Sequence, residues 1–440
     1  MLKRGLCTLL WPAHLKPKNG ELLSSWLVRL STAHGLKPYI FLSTIWSQNL
    51  WNQRDIDRIN NQAFFELIAE RTGTPVSEIL STSLTEYQGR VFEVPALGGV
   101  TPWLIPRDNI LIWKPTYFSL QYCPFCLLED KEPYFRRQWR LAFVVFCVKH
   151  KAPLLDRCAK CSAAINFYLN AQNKEDKGSD SLTTCYNCKF DLREAGLKVE
   201  FAHDPAALNF QKNLLESAEQ DWSEIPHIGQ LHSLLFFGGL RNMAYALVAK
   251  HTRINNLLRR ALEYYSIQDA SSQLPPRATI ESLEIDTRRT VILVMQKLLN
   301  HWPDEFINFN KTIRVEISVW DRKCLRITPP FWYWSIIDLN LRRPKYIPSE
   351  QEIESIFDYF RKTGRETTRR ELRKYLNYNK VHRTMRKKGI ARYGSYPESI
   401  RRLAVRLVLE GKRYKDITQS IEVSAKTLRN WVKAYYESKY

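Results

Sequence analysis

No stretch of this 440-residue sequence approaches the ~18 consecutive apolar residues that a membrane-spanning helix requires, so a soluble protein is expected. A secretory leader is also lacking. Lys3 and Arg4 precede a short apolar stretch, Gly5 to Ala13, but Pro12 and His14 interrupt it and no small-residue cleavage site follows. This reads as a bacterial cytoplasmic, nucleoid-associated chain. Catalytic signatures are missing too: there is no P-loop, no His-Glu-x-x-His helix and no nucleophile elbow. No strand-rich segment offers itself to carry a spaced acidic triad, and no enzyme is expected. Internal repeats are absent. Acidic residues are scarce, 45 against 66 Lys and Arg, for a net charge of +21.

The deficit is uneven. Residues 361–440 carry 23 basic and 7 acidic side chains, a net of +16, which leaves +5 for the other 360. A merely solvated basic tail would be poor in apolar residues and aperiodic. This tail is neither, and polyphosphate is the natural partner for such a charge concentration. Elsewhere, 44% apolar and 12% aromatic residues support true cores, and the length suggests roughly two to four domains.

Of nine cysteines, seven fall between Cys123 and Cys188, in the pattern Cys123-x2-Cys126, Cys147-x2-His150, Cys158-x2-Cys161 and Cys185-x2-Cys188. A two-residue spacer lets both side chains of a knuckle converge on one ion, and two knuckles complete a tetrahedron. Eight ligands therefore predict two closed, structural Zn2+ sites with no open position for a catalytic water. Disulfides fit poorly, because one knuckle has His in place of Cys and nothing exports the chain. Sequential pairing, first knuckle with second and third with fourth, needs shorter loops and is favoured over a cross-braced arrangement by a fraction of a kcal/mol. Cys7 and Cys324 stand alone and read as packing residues.

At these residues a family resemblance emerges. Tyr122 to Cys161, with the knuckles and the Arg137-Gln138-Trp139-Arg140 turn, resembles the TniQ family of transposon proteins, and Glu21 to Leu36 resembles the start of the same domain. The likeness covers roughly the first 190 residues. It implies a target selector that recruits a TnsC-like AAA+ ATPase, and indirectly a transposase, to an insertion site. Family members divide into TnsD-like proteins, which read an attachment site in duplex DNA themselves, and TniQ adaptors docked on a CRISPR effector complex. This chain is shorter than a TnsD protein, so its C-terminal half must decide the branch.

The expected fold is mainly α, in five parts: a helical N-terminal domain (1–120), tandem zinc modules (121–200), a helical middle (201–347), a first helix-turn-helix (348–394) and a second, homeodomain-like one (395–440). Leu22, Trp26 and Leu30 recur at helical spacing over residues 21–34, which Gly35 stops. A second helix is predicted from Arg54 to Arg71, and Pro75 to Leu80 opens a third. Their charge is nearly balanced, which favours a platform for a protein partner over DNA reading. Trp11, Trp26, Trp46 and Trp51 suit such a surface, although any single one is more often core. Residues 170–184 form a polar loop, Ile228 to Tyr265 read as helical, 266–282 as a linker, and Leu283 to Asn300 as a helix. The aromatic run Phe331-Trp332-Tyr333 reads as core.

In the tail, Ser349 and Glu352 form a capping box ahead of Ile353, Ile356, Phe357 and Phe360. A helix starting near Asn379 would expose Asn379, Arg383, Arg386 and Lys387 as a recognition face. In the last unit Ile400, Leu403, Leu407 and Val408 form the expected buried stripe. Arg401, Arg402 and Arg406 lie off it, suited to phosphates. Leu428, Trp431, Val432 and Tyr435 face inward on the final helix, which leaves Lys426, Arg429, Asn430 and Lys433 to meet base edges.

Overall fold

In the computed structural model, residues 10–45, 55–94, 100–107, 118–170, 182–198, 204–225, 227–249, 257–268, 274, 278–320, 328–342, 349–364, 398–421 and 423–437 are described. They are mainly helical and fall into two compact units, one ending at Arg342 and one running from Arg343 to Tyr440. Among the described residues no helix is long and apolar enough to cross a membrane.

The first unit begins with α1 (Leu23–Ala33) and α2 (Pro38–Ile45). The helix expected over Arg54–Arg71 is broken: a 3-10 turn at Ile56–Arg58 precedes α3 (Gln62–Thr72). Two polar residues account for the break. Asp55 caps the turn by accepting from the Asp57 amide, and Asn61 caps α3 by accepting from the Phe64 amide. Both side chains offer the backbone an alternative to continuous helix. Gly73, in the left-handed region at φ 62°, closes α3, and α4 (Val76–Leu80) follows.

Next come α5 (Pro124–Glu129), the hairpin β1 (Phe146–Cys147) and β2 (Ala152–Pro153), α6 (Phe167–Asn170) and α7 (Pro205–Glu219). A second hairpin, β3 (Trp222–Ile225) with β4 (Gly229–His232), stands partly where helix was expected from Ile228. Positive φ at His227 and Gly229 reverses the chain, and burial alternates along β3, as a half-buried strand requires. Then follow α8 (Ser233–Val248), α9 (Leu257–Tyr265), α10 (Ile285–Leu299), α11 (Asp304–Ile313), α12 (Ile317–Trp320) and α13 (Phe331–Leu341).

One continuous apolar cluster runs through all of these, from Leu22 to Ile337. Trp332 and Tyr333 join it as expected, the first edge-on to Trp302 and the second stacked on it, whereas Phe331 is 84% exposed. The expected linker 266–282 ends inside the core, where Ile280 and Glu281 are buried. Glu281 accepts from the Trp103 amide at 2.9 Å and from Arg241 at 2.8 Å, which balances its charge. Gly239 on α8 marks a close approach, because a Cβ there would meet the Trp332 ring at 2.2 Å. Gly239→Ala should therefore cost about 1–3 kcal/mol by overpacking, read as a lower thermal midpoint with the helix content unchanged.

Within the N-terminal part lies a buried ionic knot. Arg140, 1% exposed, reaches Asp55 and Asp57 (2.8 Å to Asp57 Oδ2) and donates to the Ile105 carbonyl at 3.0 Å. Asp57 also accepts from the Ser24 amide and hydroxyl at 2.8 and 3.0 Å. Burial alone would raise both carboxyls. The charge of Arg140 and its hydrogen bond outweigh that at Asp55 and hold it below the usual range, whereas burial and the neighbouring charge of Asp55 push Asp57 up. The Arg-Gln-Trp-Arg turn thus clamps the segment behind α1.

The second unit contains α14 (Glu350–Lys362), α15 (Glu398–Leu409), α16 (Tyr414–Ser420) and α17 (Ala425–Glu437). The Ser349–Glu352 capping box forms as expected, with Glu352 N to Ser349 Oγ at 3.2 Å and the reciprocal bond at 2.6 Å. The last three helices close over Ala404, Val405, Ile417, Val423, Leu428 and Trp431. Of the expected stripe on α15, Ile400, Leu407 and Val408 pack against this cluster. Leu403 is 39% exposed, and Ala404, which hydropathy passes over as neutral, is fully buried in its place. Gly411 at φ 80° ends α15, and Ser424 caps α17 by accepting from the Thr427 amide at 3.1 Å.

Candidate metal centres

The chain brings its knuckles together in sequential order. One group gathers Cys123, Cys126, Cys147 and His150, the other Cys158, Cys161, Cys185 and Cys188, each with its ligand atoms within 4.8 Å of one another.

Local structure explains the convergence. Cys123 is the N-cap of α5, with Pro124 at the first helical position, so Cys126 points back to the same side one turn later. Cys147 and His150 sit on the β1–β2 turn. Tyr122 and Leu155 exchange backbone hydrogen bonds of 2.8 and 2.9 Å, fixing the first knuckle beside that hairpin. A repeated turn shapes the other three knuckles. Four residues after the first ligand of each, the backbone enters the left-handed region: Lys151 at φ 50°, Ser162 at 58° and Lys189 at 60°. In two of them the same residue's amide closes back on the first ligand's carbonyl, Ser162 to Cys158 at 2.9 Å and Lys189 to Cys185 at 3.0 Å.

The spacing of the donors tests whether they fit a metal. A tetrahedron built on a Zn–S bond of ~2.3 Å has S···S edges of ~3.8 Å, and S···N edges of ~3.5 Å when one donor is histidine. In the first group Cys126 Sγ lies 3.6 Å from Cys147 Sγ, and the three sulfurs lie 3.3 to 3.5 Å from His150 Nδ1. In the second, Cys158–Cys188 and Cys161–Cys185 are each 3.6 Å apart. A disulfide would need ~2.05 Å, and all seven of these cysteines are free. These clusters have the dimensions of tetrahedral metal sites.

The electrostatics point the same way. Hydrogen bonds offered by Cys123 and Cys126 hold the Cys147 thiol far below its ordinary value, while contacts with Cys123 and Cys147 push Cys126 up. Burial raises Cys161, but hydrogen bonds headed by Asn187 outweigh it and bring that thiol down to about 6. Crowded thiols thus favour one thiolate at the expense of its neighbours, a conflict that a dication removes by letting every sulfur ionise.

Several residues around the clusters carry no sequence signature. His150 Nε2 lies 2.8 Å from Glu129 Oε2, which leaves Nδ1 facing the sulfurs, and Lys149 pairs with the same carboxylate at 2.7 Å. Gln121 donates to the carbonyls of Trp139, Leu141 and Val144 and accepts from the fully buried Arg288 on α10 at 3.2 Å. Asp156 caps α10 from a distance by accepting from the Ile285 amide at 2.9 Å. Such contacts span up to 167 residues, and no local pattern announces them.

The basic candidates are placed as follows. Arg402, Arg406, Lys426, Arg429, Asn430 and Lys433 are exposed on the second unit, and Arg401 is half-buried with its guanidinium 5.7 Å from the Trp431 ring centroid. Asn379, Arg383, Arg386 and Lys387 lie outside the described residues.

Comparison with curated proteins gives no match. Comparison with protein families matches TniQ over residues 12–154, a span that takes in α1 to β2, the Asp57–Arg140 knot and the first metal cluster, and stops short of the second. Residues 12–154, about a third of the chain, are a TniQ domain, the module of a family of transposition-associated proteins.

Proposed function

We propose that this protein is a non-enzymatic, TnsD-like target selector for DNA transposition. On this reading two structural Zn2+ ions fill the cysteine clusters, the C-terminal helices read an attachment site in duplex DNA, and the TniQ-bearing unit recruits an AAA+ ATPase and through it the transposase. The observation that carries the reading is the surface of α17. Lys426, Arg429, Asn430 and Lys433 are all exposed while Leu428 and Trp431 hold the opposite side in the core. An ordinary solvated helix mixes charge signs, and this face joins positive charge to an amide that can pair bidentately with adenine. The helices α15 to α17, with a short middle helix, suit a helix-turn-helix that lays α17 in the major groove. Arg402 and Arg406 on α15 suit the phosphates beside it.

The test separates the two roles. Asn430→Ala should cost about 1–3 kcal/mol on a duplex selected from a library and little on random DNA. Arg402→Ala should weaken both equally and lower the slope of log affinity against log salt by about one. Gel shifts across a salt series give both readouts. If both variants lost cognate and random DNA alike, base reading would lie elsewhere. If the intact chain selected no duplex at all, the family's CRISPR-docked role would take its place.

A further inference from the structure

Within this strongly basic chain one surface has the opposite character. Residues 216–224 hold four acidic side chains and no basic one. Glu219, Asp221 and Glu224 are exposed at the end of α7 and on β3. Arg90 binds Asp221 at 3.1 Å but also Glu86 at 3.4 Å, so it does not cancel the charge. The acidic residues border an apolar band. Trp222 is 55% exposed on β3, Leu235 is 48% exposed in the first turn of α8, and Phe331 is 84% exposed at the start of α13. Their segments meet: Asp221 O accepts from the Ser233 amide at 2.8 Å, which sets β3 beside the first turn of α8, and Trp332 Nε1, on the residue after Phe331, donates to Leu235 O at 3.0 Å. These contacts all lie within the first unit.

We propose that this band is a docking surface for a protein partner that presents an apolar side chain flanked by lysine or arginine. An exposed tryptophan with leucine and phenylalanine supplies the apolar centre that interfaces favour, and a half-exposed Trp has most to gain from being covered. The charge identifies the occupant. DNA and acidic partners are repelled by the rim, whereas a basic segment is attracted within a Debye length, ~8 Å at physiological salt, even though the whole chain carries +21. Base reading by the C-terminal helices is not required for it.

The experiment uses the full chain and fluorescence anisotropy with two labelled amphipathic helical peptides, one of leucine and lysine and one of leucine and glutamate. The lysine peptide should bind and weaken as salt rises, whereas any binding of the glutamate peptide, drawn to the basic tail, should be the same in the variants below. Trp222→Ser should weaken the lysine peptide about tenfold or more, and so should Glu219→Lys combined with Glu224→Lys. These side chains are exposed, so the thermal midpoint should stay unchanged and report that the variants fold. Loss of glutamate-peptide binding in the same variants, or no effect of either variant on the lysine peptide, would overturn the proposal. If Trp222→Ser instead raised the chain's own DNA affinity, or dissolved a dimer seen by sedimentation, the occupant would be its own basic segment or a second copy, and the proposal would likewise fail.

Discussion

Purified protein should contain two zinc ions per chain, and stripping them with a strong chelator should abolish cooperative melting of the first unit. The reason is one of scale. Structural zinc contributes roughly 10–16 kcal/mol in small metal domains, whereas a whole domain is stable by only about 5–15 kcal/mol. Here the ligands are also core residues: Cys123, Cys126, Cys147, Cys158 and Cys185 belong to the same apolar cluster as Trp26 and Phe237. Without a cation, burial leaves sulfurs that cannot all ionise. Cys126→Ser and Cys185→Ser should each give mostly insoluble protein. Elemental analysis supplies the count and circular dichroism the unfolding. Cobalt substitution adds a check on pairing, since a site of three cysteines and a histidine absorbs differently from one of four cysteines. Soluble, cooperatively folded protein with a metal content near zero would refute the assignment.

Arg140→Ala is expected to be the most damaging single change away from the cysteines, at about 3–5 kcal/mol. It removes the closer of the two guanidiniums that Asp57, fully buried, and Asp55, 11% exposed, share, and leaves them Arg107, at 4.0 and 3.6 Å. Arg140→Lys should fail nearly as badly, because one ammonium cannot span Asp55, Asp57 and the Ile105 carbonyl as a guanidinium fork does. Joint replacement by apolar or neutral groups, Arg140→Met with Asp55→Asn and Asp57→Asn, should not rescue the loss, because it takes both carboxylates away from Arg107, itself only 4% exposed. Urea unfolding of the four proteins tests the order. Acid has a split effect. Asp55, held below its unfolded value, gives stability present above that value and lost as pH falls through the folded one. Asp57, held above its unfolded value, contributes stability below that value that is lost as pH rises through the folded one. The two oppose each other, so the arginine rather than pH is the sensitive lever.

All eight cluster residues were legible because the x2 spacer is itself the geometry: covalent reach fixes which donors can meet. The preference for sequential pairing rested on loop length, and the distances agree with it. Residues that act across the fold stayed hidden. Glu129 behind His150, Gln121 with Arg288, and Asp156 at the start of α10 depend on packing that brings remote segments together. Misread elements share a cause as well. Ile228 and Leu231 stand three apart, a spacing that suits helix, and the left-handed turn at His227 and Gly229 decided for the hairpin. On α15, Leu403 outranks Ala404 in hydropathy, yet burial followed the direction each faces rather than its size. The exposed side of α17 was legible too, since Lys426, Asn430 and Lys433 need only a helix and an apolar anchor.

The shared core of the first unit bears on how the TniQ domain can be moved between proteins. The family match ends at residue 154, but the structure has no seam there. Gln211 accepts from the Val145 amide at 2.9 Å, Glu281 from the Trp103 amide at 2.9 Å, and Asp156 holds α10. A transplant cut at 154 would leave those amides unsatisfied and the flanks of the first cluster bare. The portable piece is residues 1–342, and chimaeras that exchange C-terminal units should be joined after Arg342, where the compact unit ends.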